Sequence, residues 1–296
     1  MPARLKMHVD ELDVGEDLVR TLLTAQLPEH ADLPLRRQRD AGTVNAIYRL
    51  GDDLVVRLPL TPRWHSWHVE ADWLRFFASP GRLPVAVPEP VLLGEPTDDY
   101  PHRWGVLRWI EGTHWSPGVD DDVDTIVAVI RAIEAVDLHT LPRRPLAGAM
   151  PLGALDESVR AAADASAHLV DRAAFIAAWT AAVAAPPFDA APGLQHGDLL
   201  PGNVLVRDGA VHAVIDWAGL CRSDPARELI CAWSLFDAAG RARLRAALDV
   251  DDATWARSKG WALNRIHNVA YYEHSNPLFS LDARRTISEV LADVDA

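Results

Sequence analysis

Apolar residues recur at helical spacing over residues 10–27, where Val14, Leu18, Leu22 and Leu23 share one face and Pro28 ends the run. Residues 43–60 read instead as two strands around Gly51-Asp52-Asp53, a hairpin signal. A helix is predicted over 68–77, an extended, proline-punctuated stretch over 84–94, and a strand over 104–110 that runs into Glu111-Gly112. The character then changes. Ile126, Val129, Ile130, Ile133 and Val136 predict a helix over 126–138, residues 154–185 are alanine-rich and helical, and 225–247 and 253–294 are again mostly helical. Pro186-Pro187 and Pro192-Gly193 break the chain before one β interruption, the short apolar runs 204–207 and 210–215 on either side of Asp208-Gly209. Asp-Gly between two such runs is a strong hairpin signal. The pattern is thus a β-rich first third and a helical remainder with one embedded hairpin.

The open end of that hairpin carries chemistry. His196-Gly197-Asp198-Leu199-Leu200-Pro201-Gly202-Asn203 leads into its first strand, and Ile215-Asp216-Trp217 closes its second. Antiparallel pairing brings Asn203 and Asp216 within reach of a common ion. An amide oxygen and a carboxylate are hard ligands, suited to a magnesium ion that keeps several waters and phosphate oxygens. Asp198, in a turn with Gly197, Pro201 and Gly202, can face the same ion from the substrate side and receive a hydroxyl proton. The plain alternatives are a solvated loop aspartate and an asparagine that caps backbone groups. Three residues at two spacings outweigh them and point to phosphoryl transfer. His196 and Asp198 could form a metal-hydrolase pair, but no His-Glu-x-x-His spacing accompanies them; His196 is read as bracing the loop.

Composition bounds the partners. The 296 residues, 49% hydrophobic, suffice for a sizeable core in one large or two smaller domains. Forty-two acidic against 29 basic residues give a formal net charge of −13, which argues against nucleic acid as a partner. An acidic cleft can concentrate a cationic small molecule; the alternative is that acidic surfaces simply keep the protein soluble. Asp120-Asp121-Asp122 is read as a helix start. No run of about twenty apolar residues is present, so no membrane span is expected, and Met1–Lys6 begins no signal peptide. Cys221 and Cys231 are too few for a disulfide framework or zinc site. A reducing cytoplasm fits all of this, and the expected oligomeric state is a monomer or weak dimer. Of eleven tryptophans, Trp64, Trp67, Trp73, Trp233, Trp255 and Trp261 are expected mainly in cores.

Asp198, then Asn203, then Asp216 in a hydrophobic-Asp-aromatic context resembles the catalytic loop and metal-binding aspartate of protein-kinase-like folds. The His-Gly-Asp start, Asp224-Pro225-Ala226, the run Glu228–Trp233, and the N-terminal runs Gly42–Gly51 and Val55–Pro59 resemble the aminoglycoside phosphotransferase family of antibiotic kinases, over roughly residues 7 to 292. The resemblance implies an α+β, bilobal protein-kinase-like fold with a small β-rich N-lobe (1–106), a hinge (107–112) and a larger, mainly helical C-lobe (113–296). It implies Asp198 as the catalytic base, Asn203 and Asp216 as ligands of Mg2+, and ATP or GTP as phosphate donor. Arg57 stands where the family usually has lysine and is the candidate cation for the polyphosphate, with Glu70 as its orienting carboxylate. The alternatives are an edge-strand surface arginine and a solvated glutamate. The resemblance places Gly42, Thr43 and Asn45 over the triphosphate, although no Gly-x-Gly-x-x-Gly loop occurs. By analogy with the hinge, backbone groups of Arg108 and Ile110 contact the purine. Asp224 both braces the metal loop and caps the helix that opens at Pro225.

The expected reaction is transfer of a γ-phosphate to a hydroxyl of a cationic antibiotic, an aminoglycoside or a basic cyclic peptide of the capreomycin or viomycin type, conferring resistance. A macrolide offers less charge to an acidic cleft. A metabolic hydroxyl kinase acting on choline, homoserine or fructosamine shares the motif, and a non-catalytic nucleotide-binding regulator is the reading from another class. No Ala-Pro-Glu follows Asp216, against a protein kinase. Tyr271-Tyr272-Glu273 is a candidate acceptor-site segment.

Overall fold

The computed structural model describes residues 10–38, 44–61, 67–142 and 150–293. The chain divides into two compact units, Met1–Arg82 with Ala86–Glu111, and Leu83–Val85 with Gly112–Ala296.

The first unit is built on a five-stranded antiparallel sheet. Its elements in chain order are α1 (Glu16–Gln26), β1 (Leu35–Gln38), β2 (Asn45–Leu50), β3 (Leu54–Pro59), α2 (Trp67–Phe77), β4 (Pro90–Gly94) and β5 (Trp104–Arg108), with sheet order β1-β2-β3-β5-β4. Strand alternation sorts the two faces. Ala46, Tyr48 and Leu50 of β2, Leu54, Val56 and Leu58 of β3, and Trp104 and Val106 of β5 form a core with Val19, Leu22 and Leu23 of α1. Fully burying each large side chain of this kind is worth about 1.5–3 kcal/mol. The opposite face carries Ile47, Arg57 and Gly105 in one cross-strand row and is covered by α2. A Cβ at Gly105 would fall 1.9 Å from the Trp67 ring, so the indole of α2 lies directly on this strand.

The second unit contains β6 (Thr113–His114), α3 (Val123–Glu134), α4 (Asp156–Ala165), α5 (Arg172–Val183), β7 (Gly193–Gln195), β8 (Val204–Arg207), β9 (Ala210–Val214), β10 (Cys221–Ser223), α6 (Ile230–Leu235), α7 (Ala238–Ala247), α8 (Asp252–Leu263), α9 (Ile266–Tyr271) and α10 (Pro277–Ala292). The β8–β9 hairpin turns on Asp208 (φ 55°) and Gly209 (φ 79°), the two left-handed residues of a type I′ turn. The Asp122 side chain caps α3 by accepting from the Thr125 N–H at 3.2 Å, and its second oxygen accepts from the Val211 N–H at 2.9 Å, pinning the hairpin to that helix. Asp171, Asp237 and Asp251 cap α5, α7 and α8 in the same way, so part of the acidic excess closes helix ends.

The mixed α+β architecture, with a β-sheet N-terminal part and a helical C-terminal part, is the one expected. Several boundaries differ. The first helix begins at Glu16, because Val14 N-terminal to it already packs in the core. The strand expected over 104–110 ends at Arg108, with the Trp109 N–H still donating to the Asp53 carbonyl one position beyond it. The alanine-rich stretch is two helices interrupted between Ser166 and Asp171. The helical part holds more strand pairing than its one hairpin: β6 adds to β8–β9, and β7 pairs with the distant β10. Among the described residues no helix is long and apolar enough to cross a membrane. Cys221 and Cys231 are buried free thiols. Trp64 lies outside the described residues; Trp67, Trp73, Trp233, Trp255 and Trp261 are all buried.

Candidate active site

The loop from β7 to β8 is held from behind. Gln195, the last residue of β7, donates from Nε2 to the carbonyls of Ser223 (3.1 Å) and Asp224 (2.7 Å). His196 is fully buried, edge-on to Trp217 with ring centroids 4.8 Å apart. Its Nδ1 accepts from the Asp198 N–H at 3.3 Å, and burial pushes the imidazole down to about 4, so it is neutral at physiological pH. Gly197 has φ 79°, and a Cβ there would lie 2.6 Å from the Gly219 carbonyl oxygen. Only glycine lets the loop pass that close to the 217–219 turn. The backbone N–H groups of His196 and Gly197 both donate to the Glu228 carboxylate, at 3.2 and 2.8 Å. Glu228 is buried, and that burial pushes its carboxyl up to about 7 against the pull of the two N–H bonds.

From this support Asp198 projects. Asn203 Nδ2 donates to the Asp198 backbone oxygen at 2.9 Å and to Oδ2 at 2.7 Å. The Ile215 N–H donates to the Asn203 carbonyl at 2.9 Å, extending the β8–β9 ladder by one pair and setting Asp216 beside Asn203. Asp216 has φ 61° and ψ 67°, a left-handed conformation that an aspartate tolerates at a cost of order 1–2 kcal/mol. Burial and then the Asp216 carboxylate push the Asp198 carboxyl up to about 6, opposed by Arg265, the Asn203 bond and Arg227. The structure therefore brings Asp198, Asn203 and Asp216 into one cluster. The Asn203 amide nitrogen is turned to Asp198, which directs its oxygen the other way. That oxygen and the Asp216 carboxylate are hard oxygens of the kind that would suit a magnesium ion taking its other ligands from water and phosphate. Among the described residues no group of three or more His, Cys, Asp or Glu side chains forms a metal cage.

Asp224 caps Ala226 at 3.0 Å and forms a fork-to-fork ion pair with buried Arg257, at 2.6 and 3.1 Å. Arg257 in turn donates to the Pro186 carbonyl at 2.7 Å. This bonding anchors the chain just behind the loop.

The other charged candidates stand on the first unit's sheet. Arg57 donates from Nη1 to Glu70 Oε1 at 2.6 Å, with 11% and 3% of the two side chains exposed. It is neither an edge-strand surface residue nor next to a solvated glutamate. Asn45 opens β2 and turns its side chain to Arg57. Gly42 and Thr43 lie outside the described residues. Arg108 is exposed at the end of β5, and its backbone N–H is donated to the Glu89 carbonyl at 2.8 Å. The Arg108 N–H is therefore already engaged, and Ile110 is half-buried. In the second unit Tyr271 is exposed, Tyr272 is buried, and Glu273 pairs with His168 at 3.0 Å. Sequence reasoning assigned Glu228 no role. An acid heading an apolar run gives no sign that it receives backbone N–H groups 31 and 32 positions earlier in the chain.

Comparison with known proteins bears on this geometry. A family model described as a phosphotransferase enzyme family matches residues 36–261. No curated protein matches the chain in sequence. Among solved structures, a GDP and kanamycin complex of APH(2″) superposes with a TM-score of 0.71 at 16% identity, covering 93% of this chain and 98% of that one. A GDP complex of aminoglycoside 2′-phosphotransferase-IIIa gives a TM-score of 0.70 at 14% identity, covering 95% and 100%. The macrolide 2′-phosphotransferase MphH from Brachybacterium faecium gives 0.57 at 20% identity, covering 92% and 98%. The fold is the kinase-like one of these enzymes.

Proposed function

Because this chain belongs to the phosphotransferase enzyme family, we propose that it transfers the γ-phosphate of ATP or GTP to a hydroxyl of a cationic antibiotic, with an aminoglycoside as the leading acceptor. The observation that carries this reading is the bonding of Asn203 to Asp198 at the mouth of a hairpin whose other end is Asp216. It is the arrangement a hydroxyl-to-phosphate transfer requires: one carboxylate held in place for the hydroxyl, two oxygens turned to a cation. Asp198, with its carboxyl near 6, is mostly ionised at neutral pH and accepts the hydroxyl's hydrogen bond and then its proton. Because phosphoryl-transfer transition states are loose, holding that carboxylate counts for more than its basicity. Asn203 and Asp216 would hold magnesium, which when bound offsets the charge of the phosphates. Arg57, set by Glu70, would supply the protein's own cation to the polyphosphate.

The aminoglycoside acceptor draws support from the acidic balance of the chain and from the kanamycin complex among the similar folds. A macrolide hydroxyl is the second reading, favoured by the likeness to the macrolide enzyme. The test is incubation of the full chain with magnesium and ATP or GTP against aminoglycosides, basic cyclic peptides, macrolides and hydroxylated metabolites such as choline and homoserine, read by mass. A gain of one phosphate on an aminoglycoside is expected. Phosphorylation of a metabolite with no antibiotic modified would replace the resistance reading with a metabolic one. Nucleotide bound with no acceptor modified would replace it with a regulatory one.

A further inference from the structure

We propose that Asn45 is a positioning residue that holds Arg57 for the nucleotide's phosphates, in a clamp shaped for a guanidinium and matched only in part by an ammonium. The inference rests on the reading of Arg57 as the polyphosphate's cation and deepens it.

The sheet register creates the clamp. Ile47 of β2 lies directly opposite Arg57, and Asn45 opposite Pro59. Asn45 is therefore the diagonal neighbour of Arg57 on the same face, a spacing that long side chains bridge. A guanidinium has only donors, so the Asn45 amide must present its oxygen. In that orientation Oδ1 accepts from Arg57 Nε at 3.0 Å and from Nη2 at 3.1 Å. Glu70 takes Nη1 from the other side at 2.6 Å. The Trp67 ring lies 5.6 Å from the guanidinium carbon and is itself seated where Gly105, directly across from Arg57, has no side chain. Among the described residues the fork thus meets a carboxylate on one arm, an amide oxygen along the Nε edge, and an indole close by.

Lysine has no counterpart to the Nε edge. An ammonium at position 57 could still meet Glu70, but it would leave the Asn45 oxygen facing no fixed donor, in a residue only 8% exposed. Lys6 and Lys259 are the chain's lysines, and every other one of its 29 basic residues is arginine. Arginine at position 57 thus follows the chain's general usage, and the strand partner has a side chain that suits it.

A double-mutant cycle on the full chain tests this, using Asn45→Ala, Arg57→Lys and the pair, with Asn45→Asp as the variant that keeps an acceptor. The readouts are KM and kcat for magnesium-ATP and magnesium-GTP, direct calorimetric binding of the same nucleotides, and the thermal midpoint as a check on folding. Asn45→Ala should raise the nucleotide KM about tenfold with a smaller change in kcat, as loss of its charge-assisted hydrogen bonds to Arg57 allows. Asn45→Asp should recover most of that loss. In the Arg57→Lys background Asn45→Ala should add less than about twofold, because the bonds it removes are already gone. An equal Asn45→Ala effect in both backgrounds, or nucleotide binding by Arg57→Lys as tight as by the parent, overturns the clamp while leaving the phosphotransferase reading intact. A parent protein that binds neither nucleotide overturns both.

Discussion

The two charged clusters are aimed by opposite means. On the first unit's sheet, Arg57 is directed by side chains: Glu70 from α2, Asn45 from the neighbouring strand, and the ring of Trp67. The backbone there is regular strand and helix. In the second unit, the Asn203 amide holds the Asp198 carboxylate, but the loop that presents it is set through backbone: the preceding amides are gathered by Glu228, the chain passes through Gly197 at φ 79°, and Asp216 takes a left-handed conformation. A side-chain cradle is adjustable one substitution at a time without changing the path of the backbone. A backbone cradle ties the position of the carboxylate to a buried acid and to dihedrals that few residues accept.

Substitutions should expose that contrast. The largest effect is expected from Asp216→Asn, which keeps a residue type tolerant of φ 61° while removing the charge beside Asn203. Turnover should fall by about 10³-fold, several kcal/mol of transition-state stabilisation, with part of the loss restored by raised magnesium. Steady-state rates across a magnesium titration check this. An unchanged rate would take Asp216 out of the site.

Next comes Glu70→Ala, which takes the carboxylate away from a mostly buried guanidinium. Its cost should be about 3–5 kcal/mol in unfolding free energy, measured by urea titration, because the charge keeps its desolvation penalty while losing the carboxylate that offsets it. A loss below about 1 kcal/mol would mean that the pair behaves as a surface bridge.

The smallest effect should come from the pH dependence of Glu228. Its carboxyl holds a proton to about 7 when folded, against an ordinary 4.5, so the folded protein binds more protons than the unfolded chain between those values. Stability then falls as pH rises from about 4.5 through about 7, by on the order of 1–3 kcal/mol from this group. Glu228→Gln should flatten that slope, read from unfolding free energies at pH 5 and pH 8. Identical slopes in parent and variant would contradict the buried, proton-holding glutamate.

The same contrast explains what could be read from the chain before its structure. The hairpin was legible because Asp208-Gly209 demands two left-handed residues, and Asp198, Asn203 and Asp216 were legible because their residue types name their chemistry. The long amphipathic helices showed through periodicity, and Asp122 through its place before α3. Strands β1, β6, β7 and β10, at two to four residues, are too short to display a period. Asn45 looked like part of a turn because its diagonal relation to Arg57 depends on strand register, which alternation alone leaves open. Glu228 was silent for a related reason: its partners are backbone amides, and a backbone amide has no sequence signature.

The most direct measurement separates nucleotide binding from transfer in Asp198→Asn. The variant keeps an oxygen beside the Asn203 amide and loses the ability to take a proton. Calorimetry with magnesium-ATP and magnesium-GTP should give an affinity within about threefold of the parent. The single-turnover rate of phosphate transfer to an acceptor should fall by about 10²–10⁴-fold. Transfer at the parental rate would contradict Asp198 as the group that receives the hydroxyl proton, and with it the proposed mechanism.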